Sequence, residues 1–115
     1  MRTRVVRTAL IAAIVVAATA SSASAATIVR GNSARWHPGT VRIARGETVK
    51  WASVDVHHTV RAYGSNWTYS KQLHPGASTA PRRFNKRGTF RFYCTIHGSV
   101  SGGTCSGMCG KVVVD

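Results

Sequence analysis

Short runs in which apolar and polar side chains alternate dominate this chain. Phe90, Phe92 and Cys94 alternate with Arg91 and Tyr93, and an extended strand would set the two phenylalanines and the thiol on one dry face. Val41 and Ile43 alternate with Arg42 and Ala44, and Val49 and Trp51 with Thr48 and Lys50. The turn Arg45-Gly46-Glu47 between these two runs predicts a hairpin with one buried face. Trp36-His37-Pro38-Gly39 reads as the preceding turn, and Ile28 with Val29 predicts a first edge strand over Ala26–Arg30. Val56, His58, Val60 and Ala62 share one parity, Asp55, His57, Thr59 and Arg61 the other. That places His58 on an apolar face and His57 among polar neighbours. Tyr63 to Pro81 is a long excursion with one short strand or turn of helix, and Phe84 begins a short strand broken by Asn85–Gly88. The Gly/Ser-rich stretch Thr95–Gly110 reads as a loop, and Val112 with Val114 as a closing strand. Many short alternating segments, Gly/Pro turns and no helical period predict an all-β sandwich or barrel.

The first residues follow a different pattern. Arg2, Arg4 and Arg7 precede an apolar run from Ala9 to Ala20, and Ala23-Ser24-Ala25 supplies the small residues of a cleavage site. Residues 1–25 are therefore expected to be a signal peptide, with cleavage after Ala25. An uncleaved membrane anchor is the rival reading, although the apolar run is shorter than the roughly 20 residues that span a bilayer. Export would take the protein to the cell envelope, the periplasm or the medium. What remains of the 115 residues, 26–115, is one domain. A core of that size often leans on a metal or a disulfide.

Charge narrows the partners. The chain has 16 Lys and Arg against 3 Asp and Glu; loss of Arg2, Arg4 and Arg7 takes its net charge from +13 to +10. Such a surface favours acidic partners or anionic cell-envelope polymers. The basic residues are scattered and carry no nucleic-acid-binding motif, so no nucleic acid is expected. Three acidic side chains leave little material for an acid–base pocket, and the chain is not expected to be an enzyme.

Three cysteines, Cys94, Cys105 and Cys109, leave one thiol over when two of them pair. Pairing Cys105 with Cys109 frees Cys94; pairing Cys94 with Cys105 would bury the thiolate in a disulfide. Spacing leaves both open. With Cys94 free, an inward His58, the Cys94-x-x-His97 spacing and Met108 before the last strand supply two imidazoles, a thiolate and a thioether. That donor set suits a mononuclear copper that cycles between two oxidation states. A closed Cys3His zinc site is the competing use of the same residues. His37, His57 and His74 read as solvated.

Further residues carry a resemblance. Trp36-x-Pro38, Val41-x-Ile43-x-x-Gly46-x-x-Val49-x-Trp51, His58-Thr59-Val60, Gly88-x-Phe90-x-Phe92-x-Cys94-x-x-His97 and Met108-x-Gly110-x-Val112 are similar to the cupredoxins, the blue copper proteins of plastocyanin, pseudoazurin and amicyanin kind. The likeness runs from about Trp36 to Val114. It implies a Greek-key β-sandwich in which His58, Cys94, His97 and Met108 hold one type 1 copper, both histidines through Nδ1. It further implies a one-electron carrier, a monomer, that meets a redox partner protein with an acidic docking face; His97 would lie near the surface, where electrons pass. The alternative is a copper-binding or copper-delivering protein with no electron-transfer role. Two features depart from the family pattern. Ten residues separate His97 from Met108, where relatives have only a few, and they bring in Cys105, with Cys109 following Met108; a Cys105–Cys109 disulfide would brace that turn. Ser53 stands where many relatives have Asn, so the hydrogen bond to the Cys94 sulfur is expected from another group, with Thr59 the candidate. The spacing Cys105-x-x-x-Cys109 also resembles binuclear copper centres, but Gly110-Lys111-Val112 supplies neither of the ligands that such a centre needs next.

Overall fold

A computed structural model describes Thr3, residues 11–14 and residues 24–115. The expected signal segment 1–25 lies mostly outside the described residues. Nine strands, and no helix, make up the described elements: β1 Thr27–Asn32, β2 Arg35–His37, β3 Thr40–Ile43, β4 Thr48–Ser53, β5 His58–Tyr63, β6 Ser70–Leu73, β7 Arg82–Arg83, β8 Gly88–Ser101 and β9 Thr104–Val114. They form two sheets, one of four strands in the order β2-β1-β4-β7 and one of five in the order β3-β9-β8-β5-β6. The pairs β1/β4 and β3/β9 are parallel, and the other pairs are antiparallel.

Alternation explains the layers. Val41 and Ile43 in β3, Val49 and Trp51 in β4, Phe90, Phe92 and Cys94 in β8, and Val112 and Val114 in β9 all turn inward and are buried. The aromatic rings interlock between the sheets: Phe92 meets Trp51 edge-on at 5.2 Å between centroids and Trp36 at 5.6 Å. Gly110 lies opposite Phe92 in the β8/β9 register. A Cβ there would sit 2.4 Å from the Phe92 ring, so only the bare backbone of glycine lets the ring lie across β9.

Several expectations about pairing are corrected. The runs around Val41 and Val49 do not make a hairpin: β3 pairs with β9 in one sheet, whereas β4 lies between β1 and β7 in the other. Alternation fixes which face of a run is dry, and a strand in either layer meets that demand. The link from β3 to β4 crosses between layers, held by hydrogen bonds from Glu47 N to Ala44 O and from Gly46 N to Phe84 O. β1 is no edge strand, being flanked by β2 and β4. Trp36 belongs to β2 and pairs with Gly31, so the turn begins after it, at the cis peptide His37–Pro38. The short strand expected from Phe84 is Arg82–Arg83, just before it.

The largest difference concerns 95–110. Instead of a loop, β8 and β9 continue past a register break between Tyr93 and Gly98 into a ribbon, pairing Gly98 with Gly107 and Val100 with Cys105. Its Gly and Ser residues carry little strand signal and no dry face, so the pairing is held by backbone hydrogen bonds.

Candidate metal centre

The end of β8 and the start of β5 converge inside one end of the sandwich. His58 opens β5 and is fully buried; Cys94 ends the inward run of β8, also fully buried. His97, half-buried, follows at the register break, where the irregular backbone lets its ring turn back towards the sulfur. His58 Nδ1 lies 3.2 Å from His97 Nδ1, and the Cys94 Sγ lies 3.8 Å from the first and 3.6 Å from the second. Three donor atoms thus form a near-equilateral triangle. Bonds of about 2.0–2.1 Å to imidazole nitrogen and about 2.3 Å to thiolate, as first-row ions such as zinc adopt, require trigonal edges of about 3.5–3.8 Å. The triangle therefore fits one ion with small adjustment.

Cys94 is the free cysteine, because Cys105 and Cys109 form a disulfide. Met108 lies inside that five-residue disulfide loop and is buried, 1% exposed. Its methyl and the His58 ring both border Gly31: a Cβ there would come within 2.9 Å of His58 Cδ2, 3.0 Å of Trp36 Cζ3 and 3.2 Å of Met108 Cε. The loop also packs against the other histidine. A Cβ at Gly107, whose φ is +84°, would lie 2.4 Å from the His97 carbonyl oxygen. Both the left-handed backbone and the close approach require glycine there.

Two outer interactions orient the donors. The Thr59 backbone N–H donates to Cys94 Sγ at 3.4 Å, and the Thr59 hydroxyl lies 3.9 Å from the same sulfur. Parity along the run put Thr59 on the polar side and Val56 on the apolar one; the structure buries Thr59 against Cys94 and Thr95 and exposes Val56, which precedes the strand. The Thr59 hydroxyl also accepts from Thr95 N at 2.7 Å, fixing it beside β8. Ser53 does not reach the sulfur: its hydroxyl donates to Val56 O, closing the loop between β4 and β5.

That loop carries the residue that the sequence reading missed. Asp55 Oδ1 lies 2.8 Å from His58 Nε2, and its Oδ2 accepts from Ser33 N at 2.9 Å. The hydrogen bond with His58, followed by that from Ser33, holds the Asp55 carboxyl well below the usual carboxylate range. An ionised carboxylate only accepts, so His58 Nε2 carries the proton between them, and Nδ1 is the ring atom that faces Cys94 and His97. The i, i+3 spacing Asp55-x-x-His58 was the available signal; strand parity obscured it, since a strand sends those two side chains to opposite faces.

Replacing Asp55 with alanine should weaken metal binding by about 10–100-fold, as loss of such an outer partner does elsewhere; competition titration against a chelator reads it. The depressed carboxyl also fixes the sign of a pH effect. Its stabilising contribution is complete above the ordinary carboxylate value of about 3.9 and is lost as pH falls towards the lower folded value. Thermal melts of the metal-free protein at pH 7 and pH 3 should therefore show a difference between wild type and D55N that shrinks on acidification.

Of the other histidines, His57 bonds Gln72 Oε1 at 2.7 Å and its ring packs 4.7 Å from that of His74, while His37 is exposed. None of them joins the triangle. Two imidazole nitrogens and one cysteine sulfur, with a thioether nearby, suit a single mononuclear copper ion in either of its oxidation states.

No family model matches this sequence, and no curated protein matches it. Solved structures do. Amicyanin from Paracoccus versutus (Thiobacillus versutus) is 25% identical over 84% of this chain and 87% of its own, with a TM-score of 0.63. A novel purple cupredoxin from Nitrosopumilus maritimus is 19% identical over 77% of this chain and 99% of its own, with a TM-score of 0.61. A Cu-containing nitrite reductase from Thermus scotoductus is 19% identical over 79% of this chain, with a TM-score of 0.65, and the match spans 22% of the reductase. The two facing sheets with mixed pairing match all three at the level of the fold, and the chain has the cupredoxin fold.

Proposed function

We propose that this chain, freed of a signal peptide over 1–25, is an exported one-electron carrier in which His58 Nδ1, Cys94 Sγ and His97 Nδ1, with Met108 as a fourth donor, would hold one type 1 copper. The triangle of donor atoms with edges of 3.2, 3.6 and 3.8 Å supports this reading more than any other observation. Bound there, copper supplies one-electron exchange between Cu(I) and Cu(II). The chain supplies a setting that barely changes when the electron moves. His58 is tied to Asp55, Cys94 receives the Thr59 N–H, and both donors stand on strands of one sheet. His97 is the donor that reaches solvent, beside the exposed Ile96, and the loop entering His58 exposes Val54 and Val56. These side chains give a redox partner an apolar contact at the metal end. The net positive charge of the chain would attract an acidic docking face and hold the protein near anionic envelope polymers. The protein acts as a monomer and performs no chemistry on a substrate.

Addition of Cu(II) to residues 26–115 should give an intense visible thiolate-to-copper band that saturates at one equivalent, and a reversible one-electron wave in voltammetry. Colourless binding of zinc in preference to copper would sink the reading. A band without rapid exchange with any partner would favour copper delivery. Met108→Leu should keep the colour and shift the reduction potential; an unchanged potential removes Met108 from the ligand set.

A further inference from the structure

The disulfide is accessible from a part of the molecule that the metal site does not use. Cys105 and Cys109 are both half-buried and both line an open groove of about 670 Å³ on the outer side of the five-stranded sheet. The same groove is lined by Arg91 and Lys111, which stand directly opposite each other in β8 and β9. Like charges in such a pair repel. Among the described residues no acidic side chain forms an ion pair with either; Asp55 is engaged with His58 instead. On its inner side the disulfide loop touches two of the metal donors: it contains Met108 and presses Gly107 against the His97 carbonyl.

We propose that Cys105–Cys109 is a thiol–disulfide exchange site for a negatively charged dithiol, and that opening it alters the metal centre; the second half rests on the copper reading above. Arg91 and Lys111 draw the anionic dithiol into the groove. One of its thiolates attacks a sulfur of the bond, the Cys105–Cys109 bond breaks as a mixed disulfide forms, and the displaced cysteine leaves as a thiolate that takes up a proton. The second thiol of the dithiol then displaces the other cysteine and closes its own disulfide. Two electrons and two protons pass to the chain, which gains two thiols. Freed of its staple, the Ser106-Gly107-Met108 turn no longer holds Met108 beside His58 or its backbone against His97.

Dihydrolipoate, a dithiol with a carboxylate, and the uncharged dithiothreitol serve as probes on the copper-free folded protein, with thiols counted after acid quench. Dihydrolipoate should raise the count from one, Cys94, to three under native conditions. R91Q/K111Q should slow dihydrolipoate about threefold, the scale of two exposed charge contacts, while leaving dithiothreitol unchanged. R30Q/K50Q removes equal charge from the other sheet and should slow neither. No new thiols in the folded protein, at concentrations that open the bond in urea, would overturn the site. So would equal rates in R91Q/K111Q and wild type. C105S/C109S loaded with copper should show a shifted reduction potential; an unshifted one overturns the coupling. A wild type that forms no visible band fails the copper reading alone, because the thiol count is made without copper.

Discussion

Cys94→Ser is expected to abolish the visible band of the copper-loaded protein and to weaken copper binding by more than about 100-fold, beyond the loss that removal of an outer hydrogen-bond partner causes. Serine is close to cysteine in size, so the packing of β8 is retained. A hydroxyl is a hard, weakly acidic donor, whereas copper in both oxidation states is served by a soft thiolate. The site is also enclosed: Cys94 is 0% exposed and receives the Thr59 N–H. A serine oxygen there accepts that hydrogen bond, so folding should survive, with at most the cost of about 1–3 kcal/mol typical of burying a hydroxyl. Absorption spectra and urea melts of the variant separate the two effects. Retention of the band would show that another sulfur supplies the thiolate and would dismantle the assignment.

Trp51→Ala should be the most destabilising single change, costing about 3–5 kcal/mol, a large share of the 5–15 kcal/mol that typically holds a domain together. Trp51 is fully buried in β4, 5.2 Å from Phe92 and 5.2 Å from Tyr69 between ring centroids, and so joins the two sheets. Its Nε1 has no hydrogen-bond partner among the described residues. Trp51→Phe therefore gives up ring volume but no hydrogen bond, and should cost about 1.5 kcal/mol or less. Urea denaturation of the metal-free protein orders the two variants; equal losses would show that the indole N–H matters more than the packing.

The elements that were legible in the sequence are those with one wet and one dry face. Val41/Ile43, Val49/Trp51 and Phe90/Phe92/Cys94 carry that alternation and are strands with those faces buried. The positions of His58, Cys94 and His97 were legible for the same reason, two lying on inward positions and the third three residues past the thiol. Pairing was not. Which layer a strand joins depends on partners far along the chain, so β3 and β4 read as a hairpin although their neighbours are β9 and β1. The ribbon beyond Cys94 escaped because Gly98, Gly102, Gly103 and the serines beside them have no apolar period. Asp55 escaped because the loop that aims it at His58 is shaped by Ser33 and Ser53, residues 22 and 2 positions away.

The borders of both sheets share a trait that bears on handling at high concentration. The outermost strands have three and two residues in one sheet and four each in the other, and each contains a cation: Arg35, Arg82 with Arg83, Arg42 and Lys71. A second molecule adding itself to such a border would find few free amides and would bring guanidinium or ammonium groups together. Crystallisation or long storage should accordingly proceed without fibre formation, and added polyanions, which screen those groups, are the condition under which self-stacking should first be seen.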